Sequence, residues 1–152
     1  MKKTTLFLLL IITICAPSLN YAFSEDEICI PSLESIQFAT HGNIDAKGLK
    51  TMIDSGTPFV LLDARGTRWH DIGIIPGAKF ASNEYSAEEI STLIPNSESL
   101  VVVYCFTYTC PFANRLVDHL LTLGYKNIIK YPGGLSEWRD VAQYPVEQAE
   151  LL

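Results

Sequence analysis

The chain has 152 residues, 48% of them hydrophobic and 18% charged, with 11 Lys and Arg against 17 Asp and Glu and a formal net charge of −6. That length accommodates one ordinary domain. The acidic balance excludes nucleic acid as a natural partner, because phosphate binding needs a basic footprint, and it offers anionic substrates no long-range attraction, although a local site can still be positive.

Residues 1–22 read as a secretory signal peptide. Lys2 and Lys3 form the charged start, Leu6 to Ala16 the apolar stretch, Pro17 a helix break and Ala22 a small residue for cleavage. The apolar stretch is shorter than the ~20 residues of a membrane span. The expectation is therefore export, periplasmic in a Gram-negative bacterium and otherwise secreted, with no stable membrane insertion after cleavage. An uncleaved anchor is the alternative. Ile14 stands before Cys15 where a lipidation site would have a small residue.

Loss of Lys2 and Lys3 takes the formal charge from −6 to −8 and leaves Cys29, Cys105 and Cys110. In an oxidising compartment thiols pair, and three is an odd number, so at least one is free, reactive or bonded elsewhere. No paired C-x-x-C occurs and the histidines lie far apart, so no metal site is expected.

Residues 23–35 are polar, with an isolated cysteine, and read as an N-terminal arm; the domain is expected over 36–147. SIQFAT (35–40) can form a short strand. Asp45 is placed to cap a helix over AKGLKTMID, with Leu49, Met52 and Ile53 on one face and Gly56 as the stop. FVLLD (59–63) is a continuous apolar run, as in a strand buried on both faces. GAKFAS (77–82) is a weaker strand. SAEEISTLI (86–94) opens with a capping box, Ser86 and Glu89, ahead of Ile90, Leu93 and Ile94.

LVVVY (100–104) is the strongest strand signal and is expected at the centre of the sheet. Pro111 suits the first turn of the next helix. Leu116, Leu120, Leu121 and Leu123 are expected as its buried stripe, with Gly124 as its stop. NIIKY (127–131) is another strand and LSEWRDVA (135–142) a final helix. Strands alternating with helices predict an α/β three-layer sandwich, a mostly parallel sheet with helices on both faces. Ligands then bind beyond the carboxyl ends of the strands, where Cys105 lies.

A loop passing from a strand end into a helix N-terminus gathers backbone N–H groups, and the helix dipole adds roughly half a positive charge there. A sulfur held in that nest has its thiolate stabilised, which makes Cys105 a candidate nucleophile. The alternatives are a small buried hydrophobe and a Cys105–Cys110 disulfide, structural or reversible. Cys110 near the helix N-cap is as well explained as a spacer. Cys29, with no motif around it, is not expected to be catalytic.

Four stretches resemble the single-domain rhodanese family of sulfurtransferases. LLDAR (61–65) is similar to its first signature, a strand ending in Asp-x-Arg, and GIIPGA (73–78) to its G-H-I-P-G-A. VVVYC is similar to the strand leading to the family's catalytic cysteine, and LLTLGYKNIIKYPGGLSEW (120–138) to its helix–strand–GG-x-x-x-W ending. The resemblance covers residues 36–145. It implies a rhodanese-like sandwich in which Cys105 takes a sulfane sulfur from a donor such as thiosulfate or a persulfide and passes it to a thiol acceptor, small or on a protein. No cofactor is implied.

Residues Phe106, Thr107, Tyr108 and Thr109 would form the anion-binding loop, with Asp63, Arg65 and Arg68 in support. Trp69 and His70 stand beside Arg68 and share its expected place at the pocket rim. The loop departs from the family pattern. Cys110 stands where an arginine is expected, no glycine or cation lies between Cys105 and Asn114, and the family's histidine is Ile74. Cys110 is accordingly a candidate resolving or disulfide partner. Two other readings follow from the same departures: a catalytically weak rhodanese-fold binding module, and a thiol–disulfide redox protein using both cysteines. A phosphatase of this general fold is disfavoured by the missing arginine.

Overall fold

The computed structural model describes residues 41–148. The expected signal peptide, the N-terminal arm with Cys29 and the strand expected over 35–40 lie outside the described residues. No helix among the described residues is long and apolar enough to cross a membrane.

Five strands form one sheet: β1 (Gly42–Asn43), β2 (Val60–Asp63), β3 (Lys79–Phe80), β4 (Val101–Tyr104) and β5 (Ile128–Tyr131), in the order β1-β5-β4-β2-β3. Every pairing among the described strands is parallel. β4 is central, as its Val-Val-Val-Tyr run requires. A strand flanked on both edges and covered on both faces has no solvent side, and all four residues are fully buried.

Alternation along β4 separates two cores. Val101, Val103 and, past the strand end, Cys105 pack on one side with α2 (Ala87–Leu93) and α3 (Phe112–Thr122). Val102 and Tyr104 pack on the other with α1 (Ala46–Asp54) and the last helical segment, α4 (Gly134–Ser136), which continues as a π-helical turn over Glu137–Val141. This is the three-layer α/β sandwich expected from the sequence, with the sheet wholly parallel.

The helix starts follow local chemistry. The Asp45 carboxylate accepts the Gly48 N–H at 2.7 Å. Ser86 and Glu89 form the reciprocal capping box, Ser86 N–H donating to Glu89 at 2.8 Å and Glu89 N–H to Ser86 at 3.2 Å. Each such cap contributes about 1 kcal/mol. The stripe of α3 is a correction. Its buried residues are Ala113, Leu116, Val117 and Leu120, while Leu121 and Leu123 lie at the core's margin. The helix begins at Phe112 and docks by the i, i+3, i+4, i+7 row nearest β4, and the leucine count misplaces that row. Residues Thr67–Ile72 form a 3₁₀ segment kinked at Trp69.

Candidate active site

Cys105 is the first residue beyond β4 and is 2% exposed. Its carbonyl accepts the Leu135 N–H at 3.0 Å, and the Phe106 carbonyl accepts the Ser136 N–H at 2.9 Å. These bonds fasten the start of the loop to the chain that returns after β5. Gly134 makes the approach feasible. Its φ is +65°, and a Cβ there would stand 2.5 Å from the Cys105 carbonyl oxygen. Both the left-handed backbone and the close contact require glycine.

The loop then turns, Cys110 N–H donating to the Thr107 carbonyl at 3.1 Å. Cys105 and Cys110 are joined by a disulfide. Their Cα atoms are 6.2 Å apart, inside the span of about 4.4–6.8 Å that such bonds occupy. Among the described residues, the amides of Phe106, Thr107, Tyr108 and Thr109 donate to no protein group, and α3, with Pro111 at its N-cap, has no side-chain cap. Free N–H groups and the start of a helix therefore lie in the same short loop as the two sulfurs, and they are the partial positive charge that the loop itself can offer a thiolate released there.

Outside the loop lies a cleft of about 280 Å³ lined by Thr107, Tyr108, Thr109, Gly133, Ser136, Glu137 and Val141. Its one charged side chain is Glu137. The Tyr108 hydroxyl donates to Glu137 Oε1 at 3.2 Å. Glu137 Oε2 is buried without a hydrogen-bond partner and occupies the space that a Cβ on Gly133 would need. Gly133 has an ordinary φ of −63°, so it is glycine for the carboxylate's sake and Gly134 for the backbone's.

The nearby tyrosines register the charge. Lost solvation and then the Glu137 carboxylate raise the Tyr108 pKa. Burial and then the same carboxylate raise that of Tyr131, whose buried hydroxyl stands near Glu137 without hydrogen-bond geometry.

Asp63 and Arg65 sit one strand away from Tyr104 and outside the cleft lining. They form a buried ion pair in which Arg65 Nε reaches both carboxylate oxygens at 2.9 Å and Nη2 reaches Oδ2 at 2.5 Å. Nη2 also donates to the Gly73 carbonyl at 2.7 Å, fixing the segment after β2. Burial works to lower the Arg65 pKa, and Asp63 more than offsets it, so the net shift is upward. Tyr104, pushed well up by burial and then by the Asp63 charge, accepts the Ile75 N–H at 3.1 Å. The pair and Tyr104 thus hold three chain segments together behind the cysteine.

Arg68 falls within the 3₁₀ segment, and its side chain, like that of His70, lies outside the described part of the structure. Arg115 stacks over the Phe112 ring, 5.7 Å from its centroid. Trp138 is fully buried, donates to the Pro145 carbonyl at 2.7 Å and meets Tyr131 and Tyr144 edge-on. Sequence reasoning missed Glu137, Ser136, Val141 and Tyr104. The signal for Glu137 was its place just before Trp138, since a helical turn with a core tryptophan must aim its predecessor elsewhere. The π-turn, closed by Ala142 N–H to the Glu137 carbonyl at 2.8 Å, turns that predecessor toward the loop.

A model of the rhodanese-like domain family matches residues 45–140. No curated protein matches the chain in sequence. Among solved structures, a Bacillus halodurans protein is similar with a TM-score of 0.63 and 22% identity, over 73% of this chain and 83% of that one. The rhodanese-like domain of an Anabaena protein gives 0.61 and 24%, over 72% and 81%. The thiosulfate sulfurtransferase of Pseudomonas aeruginosa gives 0.58 and 20%, over 72% of this chain and 21% of that one. These likenesses show the fold.

Proposed function

The chain belongs to the rhodanese-like domain family, and from that premise we propose that it is an exported sulfurtransferase carrying sulfane sulfur on Cys105. The observation that supports it is the place of Cys105, at the end of the central strand, beside free loop amides and within bonding distance of Cys110.

In the reduced protein the Cys105 thiolate attacks the outer sulfur of a donor R–S–SH. The S–S bond of the donor breaks, R–S⁻ leaves, and Cys105 becomes Cys–S–SH. An acceptor thiolate, small or on a protein, attacks that outer sulfur, leaves as a persulfide and restores the Cys105 thiolate. The amides of the loop stabilise the thiolate at both ends of the cycle. Where no acceptor arrives, the Cys110 thiolate attacks Cys105 Sγ instead. Hydrosulfide leaves and the Cys105–Cys110 disulfide forms, and a dithiol must reduce it before the next turn.

The test is the intact mass of the reduced protein after exposure to a thiol persulfide. A gain of one sulfur mapping to Cys105, absent in Cys105→Ser and longer-lived in Cys110→Ser, is expected. No gain in wild type or Cys110→Ser would sink the proposal. A second reading, thiol–disulfide exchange alone, is favoured by the disulfide itself. It predicts a bridge that opens and closes without sulfur ever being loaded.

A further inference from the structure

The two sulfurs of the bridge stand in unlike surroundings. Cys105 is 2% exposed and is part of the core formed with Val103, Ala113 and Leu116, whereas Cys110 packs against that core from outside and is only half-buried. A thiolate attacking a disulfide must approach one sulfur along the S–S axis from the side opposite its partner, so access decides which sulfur is struck. Approach to Cys105 Sγ passes through packed side chains. Cys110, half-buried, is the one of the two that shares in the surface, so the open approach is to Cys110 Sγ.

The leaving group points the same way. Attack at Cys110 expels the Cys105 thiolate, and thiolates that are better stabilised leave faster. Burial alone would make Cys105 a poor thiolate. The free amides of Phe106 to Thr109 and the uncapped start of the eleven-residue α3 oppose that cost.

We propose that the Cys105–Cys110 bridge is opened by an external dithiol at Cys110, so that Cys110 receives the mixed disulfide and Cys105 is released as the thiolate. The atoms balance. One thiolate of the dithiol bonds to Cys110 Sγ, the Cys105–Cys110 bond breaks, and its electron pair leaves on Cys105. The second thiolate of the dithiol then attacks the dithiol's own bonded sulfur. The dithiol is oxidised to its disulfide and Cys110 is released. The protein gains two electrons, and Cys105 emerges ready to attack a sulfur donor. This rests on the sulfurtransferase reading only for its place in a cycle; the step itself belongs to the oxidised protein.

The test uses the oxidised wild-type chain, its bridge confirmed by a mass two hydrogens below that of the reduced form. It is mixed with a low concentration of 2-mercaptoethanol, a monothiol that has no second thiolate of its own and so resolves the mixed disulfide only through a second, slower encounter, and quenched at short times with iodoacetamide. Fragmentation of the peptide carrying both cysteines then locates each group. The expected result is mercaptoethanol on Cys110 and the alkyl group on Cys105, favoured over the reverse by at least tenfold. Equal labelling, the reverse pattern or a bridge that the thiol never opens overturns the proposal. Sulfur loading is measured separately on the reduced protein. Its failure would end the sulfurtransferase reading without touching this assignment, and its success would not rescue it.

Discussion

Gly134 lies so close behind Cys105 that a single added carbon would sit 2.5 Å from the Cys105 carbonyl oxygen and 2.7 Å from that of Phe106. The neighbouring glycine has a different task, since Gly133 makes room for the end of the Glu137 side chain. The two alanine variants should therefore separate. Gly134→Ala forces a left-handed backbone on alanine and pushes against main chain, and should cost about 2–4 kcal/mol in urea unfolding. Gly133→Ala keeps an ordinary backbone but drives out the Glu137 carboxylate and stands 2.8 Å from the Glu137 Cβ, so it should cost less than Gly134→Ala, about 1–2 kcal/mol. Equal losses would show that the approach of Gly134 to the loop is not what holds it.

The buried pair of Asp63 and Arg65 makes a second prediction. Removing one partner leaves a charge without compensation in the core. Arg65→Met alone should lose about 3–5 kcal/mol. The double variant Asp63→Ala, Arg65→Met should lose less than the sum of the singles, because no orphaned charge remains. Denaturant unfolding of the four proteins in a double-mutant cycle measures the coupling, and additive losses would contradict the geometry.

Features set by near neighbours were legible in the sequence. Asp45 and the Ser86–Glu89 box cap helices over three residues of chain, and Val101–Tyr104 declares a doubly covered strand by composition alone. Cys105 could be placed because it follows that strand directly. What escaped depends on chain that returns from a distance. Glu137 reaches Tyr108 across 29 positions, and its aim is set by a π-turn that no apolar period announces. The spacing of Cys105 and Cys110 showed that the sulfurs could meet, and the loop's hydrogen bonds to Leu135 and Ser136, which fix its start, were not visible there. The stripe of α3 was misplaced because Ala113 and Val117 weigh little in a search for leucines, though they face β4.

Glu89 gives a pH-dependent prediction. Its hydrogen bonds to Ser86, backbone first, hold its pKa below the usual carboxylate range. A pKa lower in the folded state means that the charged form stabilises the fold at every pH above the unfolded value of about 4.3, and that this contribution is lost as pH falls through the folded pKa. Glu89→Gln keeps the shape of the capping box without the charge. Wild type should have the higher urea midpoint near pH 7, and the gap should close on acidification. A gap that persists at about pH 2 would mean that shape and not charge carries the cap.

Glu137 is the one charged side chain lining the cleft, and if the proposed sulfur transfer takes place there, its effect should depend on the charge of the sulfur donor. A dianion such as thiosulfate is repelled by the carboxylate and finds only amides and hydroxyls in the loop, whereas a persulfide carries at most one negative charge on its sulfur and is repelled less. Glu137→Gln keeps an oxygen to accept the Tyr108 hydroxyl and removes the charge. It should raise kcat/KM for thiosulfate by roughly three- to tenfold, with less gain at high salt, and raise that for a singly charged persulfide by a clearly smaller factor. Tyr108→Phe removes the hydrogen bond and keeps the charge, so it should move both donors alike. If Glu137→Gln also changed both donors by one factor, the carboxylate would act only as a brace for the loop.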